Sequence, residues 1–181
     1  PNTYEFNDKD VTVNEIFEVM LDEMDKQLTP YKEEIEKSDL SVHEFLTLAS
    51  IVELEGANSE DRAGVAGVFY NRLKDKWPLG SDVTTYYAIK LDMSVRDLKV
   101  SELNDYNAYN TRSNKMVGLP VSPICNPSID SIVGTLSPKN HNYYYFVADK
   151  NKETYFRKTA QEHDKIIREL EDKGLWFEYE D

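Results

Sequence analysis

Apolar residues recur at helical spacing through most of the first half of the chain. Over residues 13 to 28 they fall on one face, opposite an acidic face, which predicts an amphipathic surface helix. Residues 42 to 55 are apolar almost all round, which predicts a helix inside the domain. A third helix is expected to begin after Ser59, as its N-cap, and to run to about residue 73. The first half of the chain is therefore predicted to be helical.

The second half combines a long irregular segment with shorter elements. Residues 105 to 128 are rich in proline, asparagine and tyrosine and show no periodicity, which is typical of a functional loop. A short helix capped by Ser94 should precede this loop. Beyond it, residues 129 to 136 and 160 to 173 have helical patterns, and two runs rich in Tyr, Phe and Val flank residues 150 to 152, which predicts a β-hairpin. The expected fold class is α+β, with a smaller second half that contains the hairpin.

Length and composition indicate one globular unit. A chain of 181 residues, 40% of them hydrophobic, can bury one core, with residues 1–40 as a helical lead-in and residues 41–175 as the main body of the same domain. The net charge of −13 argues against a nucleic-acid partner, which would require clustered Lys and Arg. No apolar run approaches the roughly 20 residues that cross a bilayer. Cys125 is the only cysteine, so no intramolecular disulfide is possible.

The sequence contains no pattern that predicts a cofactor or a metal. It has no Gly-rich phosphate loop, no CxxC pair and no HExxH motif. Three scattered histidines do not predict a metal site. Any catalysis is therefore expected to rely on side chains alone.

Two glutamates in the last turn of the central helix point in different directions. At about 100° per residue, Glu53 and Glu55 are roughly 200° apart, so at most one of them faces a given cleft. Glu55 shares its face with Leu48, Ile51 and Val52. A carboxylate among aliphatic side chains loses hydration, which favours the neutral acid and makes it a proton donor near neutral pH. The alternative is a solvated glutamate at a fraying helix end, and spacing alone leaves both interpretations open.

Several blocks of the sequence resemble one enzyme family. They are ASIVELEG, EDRAGVAGVFYNRL, LGSDVTTYYA, AYNTRSNKMVGLPVSPICNPS and YYYFVAD. Their order and approximate gaps resemble those of the endolytic murein transglycosylases, also called the YceG-like family. The resemblance extends from PNTYEF at the start to the region of His163. It implies a lysozyme-like cleft, and it identifies the second glutamate of the ASIVELEG block, Glu55, as the catalytic residue.

The same resemblance places three segments in the glycan cleft. The implied substrate residues are Ser81, Asp82, Thr84, Tyr109, Asn110, Thr111, Leu119, Pro120 and Asn126. From the residues alone, Asp82 could instead be the N-cap of a short helix, residues 105 to 128 a packed Pro-rich loop, and His163 a structural residue. The sequence departs from the family pattern at Gly80, where many members have glutamine, and at Val83, where many have proline.

The implied reaction needs only one carboxyl group. Glu55 would protonate the β-1,4 glycosidic oxygen between N-acetylmuramic acid and N-acetylglucosamine, and would then take the proton of the C6 hydroxyl as that oxygen closes on C1. The product would be a 1,6-anhydro sugar, formed without water. The alternatives are a lysozyme-like hydrolase, which would use water and commonly two carboxylates, and a non-catalytic glycan-binding module of a wall-synthesis complex.

The resemblance also implies partners and a location. The partner would be peptidoglycan glycan strands, with no nucleic acid and no cofactor. Family members carry an N-terminal membrane anchor and a small domain ahead of this block. The parent protein is accordingly expected at the extracytoplasmic face of the bacterial cell membrane, in association with wall-synthesis proteins.

Overall fold

The computed structural model describes residues 2–7 and 9–176 and has an α+β fold, which confirms the predicted fold class. The helices are α1 (Val13–Leu28), α2 (Lys32–Glu36), α3 (Val42–Glu55), α4 (Arg62–Lys74), α5 (Asp82–Ile89), α6 (Val100–Asn104), α7 (Ile129–Leu136) and α8 (Ala160–Asp172). A 3₁₀ turn, Thr29–Tyr31, separates α1 from α2. The strands β1 (Tyr145–Ala148) and β2 (Thr154–Arg157) form an antiparallel hairpin in which Tyr145 lies opposite Arg157. Within the described residues, no helix is both long enough and apolar enough to cross a membrane.

Helix α3 is the centre of the domain. A capping box starts it, because Ser41 accepts a hydrogen bond from the Glu44 amide while the Glu44 carboxylate accepts one from the Ser41 amide. One side of α3 packs on α4 in a cluster that includes Leu48, Ile51 and Phe69, all buried. Its other side packs on α7 in a second cluster. Apolar contacts on both sides explain why α3 is apolar almost all round.

Two glycines of α4 let the second half of the chain lie close to the helix. A Cβ atom at Gly67 would lie 2.5 Å from the backbone oxygen of Lys139, and one at Gly64 would lie 2.5 Å from the Phe156 ring. Asn71 of the same helix donates hydrogen bonds to the backbone oxygens of His141 and Tyr143. These contacts fix the segment leading into β1 against α4, and so position the hairpin beside the end of α3.

Glu53 joins three helices through a compact polar network. One of its oxygens accepts hydrogen bonds from the Ser128 amide at 2.9 Å and from the Ser131 hydroxyl at 2.6 Å, and the other contacts the Arg62 guanidinium at 3.1 Å. Burial by itself would raise the pKa of Glu53, but the hydrogen bonds from Ser128 and Ser131 and the charge of Arg62 outweigh it and lower the pKa. Glu53 therefore has a structural environment that favours its charged form.

Two predicted N-caps differ from the structure. Asp61, not Ser59, occupies the N-cap position of α4, because the Ser59 hydroxyl donates to Asp130, 71 residues away. Ser94 does not start a helix, because its amide and hydroxyl both bond to the Asp92 carboxylate in a local turn. The helix in this region is α6, which begins only at Val100.

Removing the Glu53 carboxylate should destabilise the fold. The Glu53→Ala variant leaves the partly buried Arg62 guanidinium with only the more distant and exposed Asp130 carboxylate, at 3.6 Å, and leaves the Ser128 and Ser131 donors without their acceptor, so we expect it to lower the free energy of unfolding by about 2–4 kcal/mol. Guanidinium denaturation near pH 7 measures this loss. The matched control is Glu33→Ala, which removes an exposed partner of Lys37 and should cost less than about 0.5 kcal/mol. Equal stability losses in the two variants would contradict this assignment.

Candidate active site

Glu55, the last residue of α3, lies at a cavity of about 480 Å³. The side chain is partly buried. Residues from seven parts of the chain line the cavity: the end of α3, α4, the segment that leads into α5, the 105–128 loop, strand β1, helix α8 and Trp176 beyond it. A cavity of this volume falls within the usual range for small-molecule and cofactor sites.

A hydrogen bond from Ser81 holds the Glu55 carboxyl group. The Ser81 hydroxyl donates to Oε1 of Glu55 at 2.5 Å, and Ser81 itself is 2% exposed. Ser81 lies between Leu79 and Val83, which are both buried in the same cluster as Leu48. The apolar anchors on either side thus fix the position of the hydroxyl.

Two buried threonines hold the Ser81 backbone in place. The Ser81 amide donates to Oγ1 of Thr111 at 3.1 Å, and the Thr84 hydroxyl donates to the Ser81 carbonyl at 2.7 Å. The two threonine hydroxyls also bond to each other at 2.9 Å, and both residues are fully buried. The polar groups behind the cavity are therefore satisfied within the protein, as buried polar groups usually are.

The environment of Glu55 favours its protonated form. Loss of water contact raises the pKa of Glu55 to about 7, the hydrogen bond from Ser81 opposes the shift, and the negative charge of Asp82 adds to it. The guanidinium groups of Arg72 and Arg112 also oppose the shift. A carboxyl group with a pKa near 7 can both donate and accept a proton at physiological pH, which is the requirement for general acid and base catalysis.

Two arginines add positive charge to the cavity. Arg72 donates from Nε to the Tyr144 carbonyl at 2.8 Å and from Nη1 to the Leu79 carbonyl, and its guanidinium carbon lies 5.3 Å from the centre of the Tyr145 ring. Arg112 pairs with Asp82 at 3.2 Å. Both arginines line the cavity with Glu55, so a bound ligand would meet cations and a neutral acid together.

The departure from the family pattern at Gly80 has a local structural reason. Gly80 has a φ of +64°, which disfavours residues with a side chain. A Cβ atom there would lie 2.7 Å from Nη1 of Arg72. With this backbone, a glutamine at position 80 would displace the Arg72 guanidinium.

The structure brings only some of the predicted substrate residues to this cavity. Ser81 and Asp82 line it. Asp82 is the first residue of α5, and its side chain makes no capping hydrogen bond because Ser81 holds the N-cap position. Thr84 and Thr111 lie one layer behind, fully buried.

Asn110, predicted to bind substrate, lies inside the protein and does not line the Glu55 cavity. It is fully buried, and its side-chain amide donates to the backbone oxygens of Glu102, Leu103 and Asp105 while its oxygen accepts from Thr85. These bonds satisfy the end of α6. The Asn110 amide therefore supports the loop, and its role in binding substrate stays a prediction.

The remaining predicted residues also lie away from Glu55. Leu119 packs against the core cluster, and Pro120 is buried. Asn126 is exposed and lines a separate cavity of about 250 Å³ between α1 and α7. Tyr109 lines a neighbouring pocket next to α5. These four residues do not line the Glu55 cavity, because the 105–128 loop packs mainly against the core and leaves only Arg112 there. Their predicted contact with substrate stays a prediction.

Sequence reasoning missed the opposite wall of the cavity. Tyr145 of β1 and His163 and Asp164 of α8 line it, and the Tyr145 and His163 rings lie 5.5 Å apart. The sequence pattern places Tyr145 only in a run that predicts a hairpin strand, and it leaves a structural role open for His163. The only sequence signal for this wall was that the resemblance extends as far as His163. Within residues 2–7 and 9–176, no group of three or more His, Cys, Asp and Glu side chains could hold a metal ion.

The chain belongs to the YceG-like family, whose model matches residues 1–169. It is 39% identical over 168 residues to an endolytic murein transglycosylase of Bacillus subtilis, covering 91% of this chain and 45% of that protein. It is 36% identical over 173 residues to the endolytic murein transglycosylase of Streptococcus pneumoniae strain D39, covering 93% of this chain and 31% of the relative. A crystal structure of a putative yceG-like protein from Listeria monocytogenes superposes with a TM-score of 0.85 at 37% identity, over 92% of this chain and 53% of that one. The chain thus spans between about a third and a half of the length of these relatives.

Glu55 should make the stability of the fold fall with rising pH between about 4.5 and 7. The pKa of Glu55 is about 7 in the folded chain and near 4.5 in the unfolded one, so the folded chain binds more protons in this window and loses stability as they leave. The Glu55→Gln variant lacks this loss. As the pH rises from about 4 to about 8, the free energy of unfolding of this variant should increase by up to about 3 kcal/mol relative to that of the wild type.

Urea denaturation of both proteins across this pH range measures the difference. Glu60→Gln is the matched control, because Glu60 is exposed and its substitution should change stability by less than about 0.5 kcal/mol at every pH. A difference between Glu55→Gln and wild type that does not vary with pH would refute the raised pKa.

Proposed function

We propose that this chain is the catalytic part of a lytic transglycosylase that cleaves the β-1,4 bond between N-acetylmuramic acid and N-acetylglucosamine in peptidoglycan strands. The observation that carries the proposal is one carboxyl group, Glu55, with a pKa raised to about 7 at a cavity. Membership of the YceG-like family and the names of its relatives, endolytic murein transglycosylases, support the same reaction class.

The first step is proton transfer to the leaving group. The protonated Glu55 donates its proton to the glycosidic oxygen as the bond between that oxygen and C1 of N-acetylmuramic acid breaks, and the bonding electrons go to the oxygen. Ser81 already donates to Oε1 of Glu55, so Oε2 is the oxygen that carries the proton towards the sugar. Positive charge then develops at C1.

The second step uses the same carboxylate as a base. Glu55 accepts the proton of the C6 hydroxyl while O6 forms a bond to C1, which gives a 1,6-anhydro sugar and restores the protonated acid. No water is consumed. A pKa near 7 suits both steps, because at neutral pH Glu55 can donate a proton when it is protonated and can accept one when it is ionised.

The cavity has two further carboxylates, Asp82 and Asp164, and both are poorly suited to the role that a hydrolase would require. A hydrolase commonly uses its second carboxylate to activate water or to attack C1. Asp82 is engaged by Arg112 at 3.2 Å, and its side chain is 56% exposed. Asp164 lies on the opposite wall beside His163, and its side chain is 61% exposed. Closure by the substrate's own C6 hydroxyl is therefore the better match to the site than attack by water.

The proposed substrate also defines where the protein acts. Peptidoglycan lies outside the cell membrane, so the reaction takes place at the extracytoplasmic face, with the parent protein anchored there. The relatives' names specify endolytic enzymes, and we propose that cleavage by this chain is likewise internal to the strand.

The proposal predicts that Glu55→Gln abolishes glycan cleavage. Loss of the acid and base should reduce the rate at least 10²- to 10⁴-fold, while circular dichroism shows an intact fold. Mass spectrometry of digested, purified peptidoglycan measures the products, which should be lighter by one water than hydrolysed ends. The control is Glu60→Gln, which should cleave at the wild-type rate.

Three results would contradict the proposal. A folded Glu55→Gln protein that retains activity would remove Glu55 from the chemistry. Products that carry an added water would assign the site to a hydrolase. Binding of strands by the wild type with no cleavage would favour a glycan-binding module.

A further inference from the structure

A second pocket, of about 650 Å³, lies beside the Glu55 cavity and is rich in tyrosine. Its lining residues are Tyr86, Tyr87, Ala88, Lys90, Leu91, Asp92 and Tyr109. We call it the tyrosine pocket. Tyr87 is 43% exposed, although large aromatic side chains are usually mostly buried. Its ring packs against that of Tyr109 with the centres 4.9 Å apart.

Most of the aromatic surface of the tyrosine pocket is held rigidly. The Tyr109 hydroxyl shares a hydrogen bond with Ser122 at 2.8 Å, and its ring packs against the core cluster. The Tyr86 hydroxyl donates to the Arg96 carbonyl at 3.1 Å. The Tyr87 hydroxyl, by contrast, has no hydrogen-bond partner among residues 2–7 and 9–176. A fixed aromatic surface with one free hydroxyl is suited to binding a ligand with little loss of conformational entropy.

Two chain segments connect the tyrosine pocket to the Glu55 cavity. In α5, Asp82 lines the Glu55 cavity and Tyr86 lines the tyrosine pocket. These residues are four apart, so they share a helix face about 6 Å apart along the axis. In the 105–128 loop, Arg112 lines the Glu55 cavity and Tyr109 lines the tyrosine pocket. The tyrosine pocket therefore begins about one helical turn from the edge of the Glu55 cavity, within reach of an extended ligand that starts at Glu55.

The chemistry of the tyrosine pocket matches that of a sugar chain. The face of a pyranose ring that carries its C–H bonds is apolar and packs on an aromatic ring, while hydroxyl and N-acetyl groups need hydrogen-bond partners. The pocket offers the rings of Tyr87 and Tyr109 for the first contact and the Tyr87 hydroxyl and Lys90 ammonium for the second. Lys90 has a φ of +56° at the end of α5, where glycine is the usual residue, and this position brings a cation to the pocket.

We propose that the tyrosine pocket is a distal glycan subsite, which binds a sugar of the strand remote from the bond cleaved at Glu55. This inference rests on the proposed function for the identity of the strand. The subsite would hold a long strand in register along α5 and would favour long strands over short fragments. Because Tyr87 is remote from the reacting atoms, it should act on binding rather than on the chemical step.

The binding test uses the hexamer of β-1,4-linked N-acetylglucosamine as its probe and the Glu55→Gln protein as its background, so that nothing is cleaved. Adding Tyr87→Ala should weaken hexamer binding about three- to tenfold, since one aromatic contact is lost. Tyr87→Phe keeps the ring and should retain most of the affinity. Phe17→Ala removes another exposed ring, on α1, and should leave hexamer binding unchanged.

A kinetic test separates the subsite from the proposed function. In a protein with an intact Glu55, Tyr87→Ala should raise KM for long peptidoglycan strands about three- to tenfold and leave kcat within twofold. Unchanged hexamer affinity in Tyr87→Ala, or no hexamer binding by Glu55→Gln at all, would overturn the subsite. If the wild type cleaves no strand but Tyr87→Ala still weakens hexamer binding, the proposed function fails while the subsite stands.

Discussion

Everything at this site depends on limiting the contact of one glutamate carboxyl group with water at the end of a buried helix. Helix α3 has core clusters on both sides, so its last turn cannot move to solvent without disrupting both. Glu55 is consequently held where burial raises its pKa to about 7. A carboxylate without full hydration destabilises the folded state at high pH. The packing of α3 must offset this loss of folding free energy.

Glu53 and Glu55 show how environment separates two identical side chains. They are two residues apart on one helix and lie on different faces. Glu53 accepts hydrogen bonds from Ser128 and Ser131 and meets the charge of Arg62, so it stays ionised and joins α3, α4 and α7. Glu55 accepts a hydrogen bond from the Ser81 hydroxyl and otherwise faces the cavity. The first therefore serves the fold, and the second is available for proton transfer.

Local sequence patterns predicted those features whose causes are local. The bounds of α3 and α7 and the positions of the hairpin strands follow from residues close together in the chain, and the structure has them where the patterns indicated. Ser59 was misassigned because its partner, Asp130, is distant in sequence. Asn110 illustrates the same limit: amide groups that suit a sugar also suit backbone carbonyls, and only the fold decides between them. The wall formed by Tyr145 and His163 arises from packing of α8 on the hairpin and of β1 against α4, which no spacing reveals.

The most direct test of this account is the titration of Glu55 itself. Carbon-13 NMR of the side-chain carboxyl carbons, with Glu55 assigned by comparison with Glu55→Gln, gives the pKa of this group in the folded chain. We expect a midpoint near 7 for Glu55 and a midpoint below 4.5 for Glu53. A Glu55 midpoint at or below 4.5 would show a solvated, ionised carboxylate and would contradict the central claim.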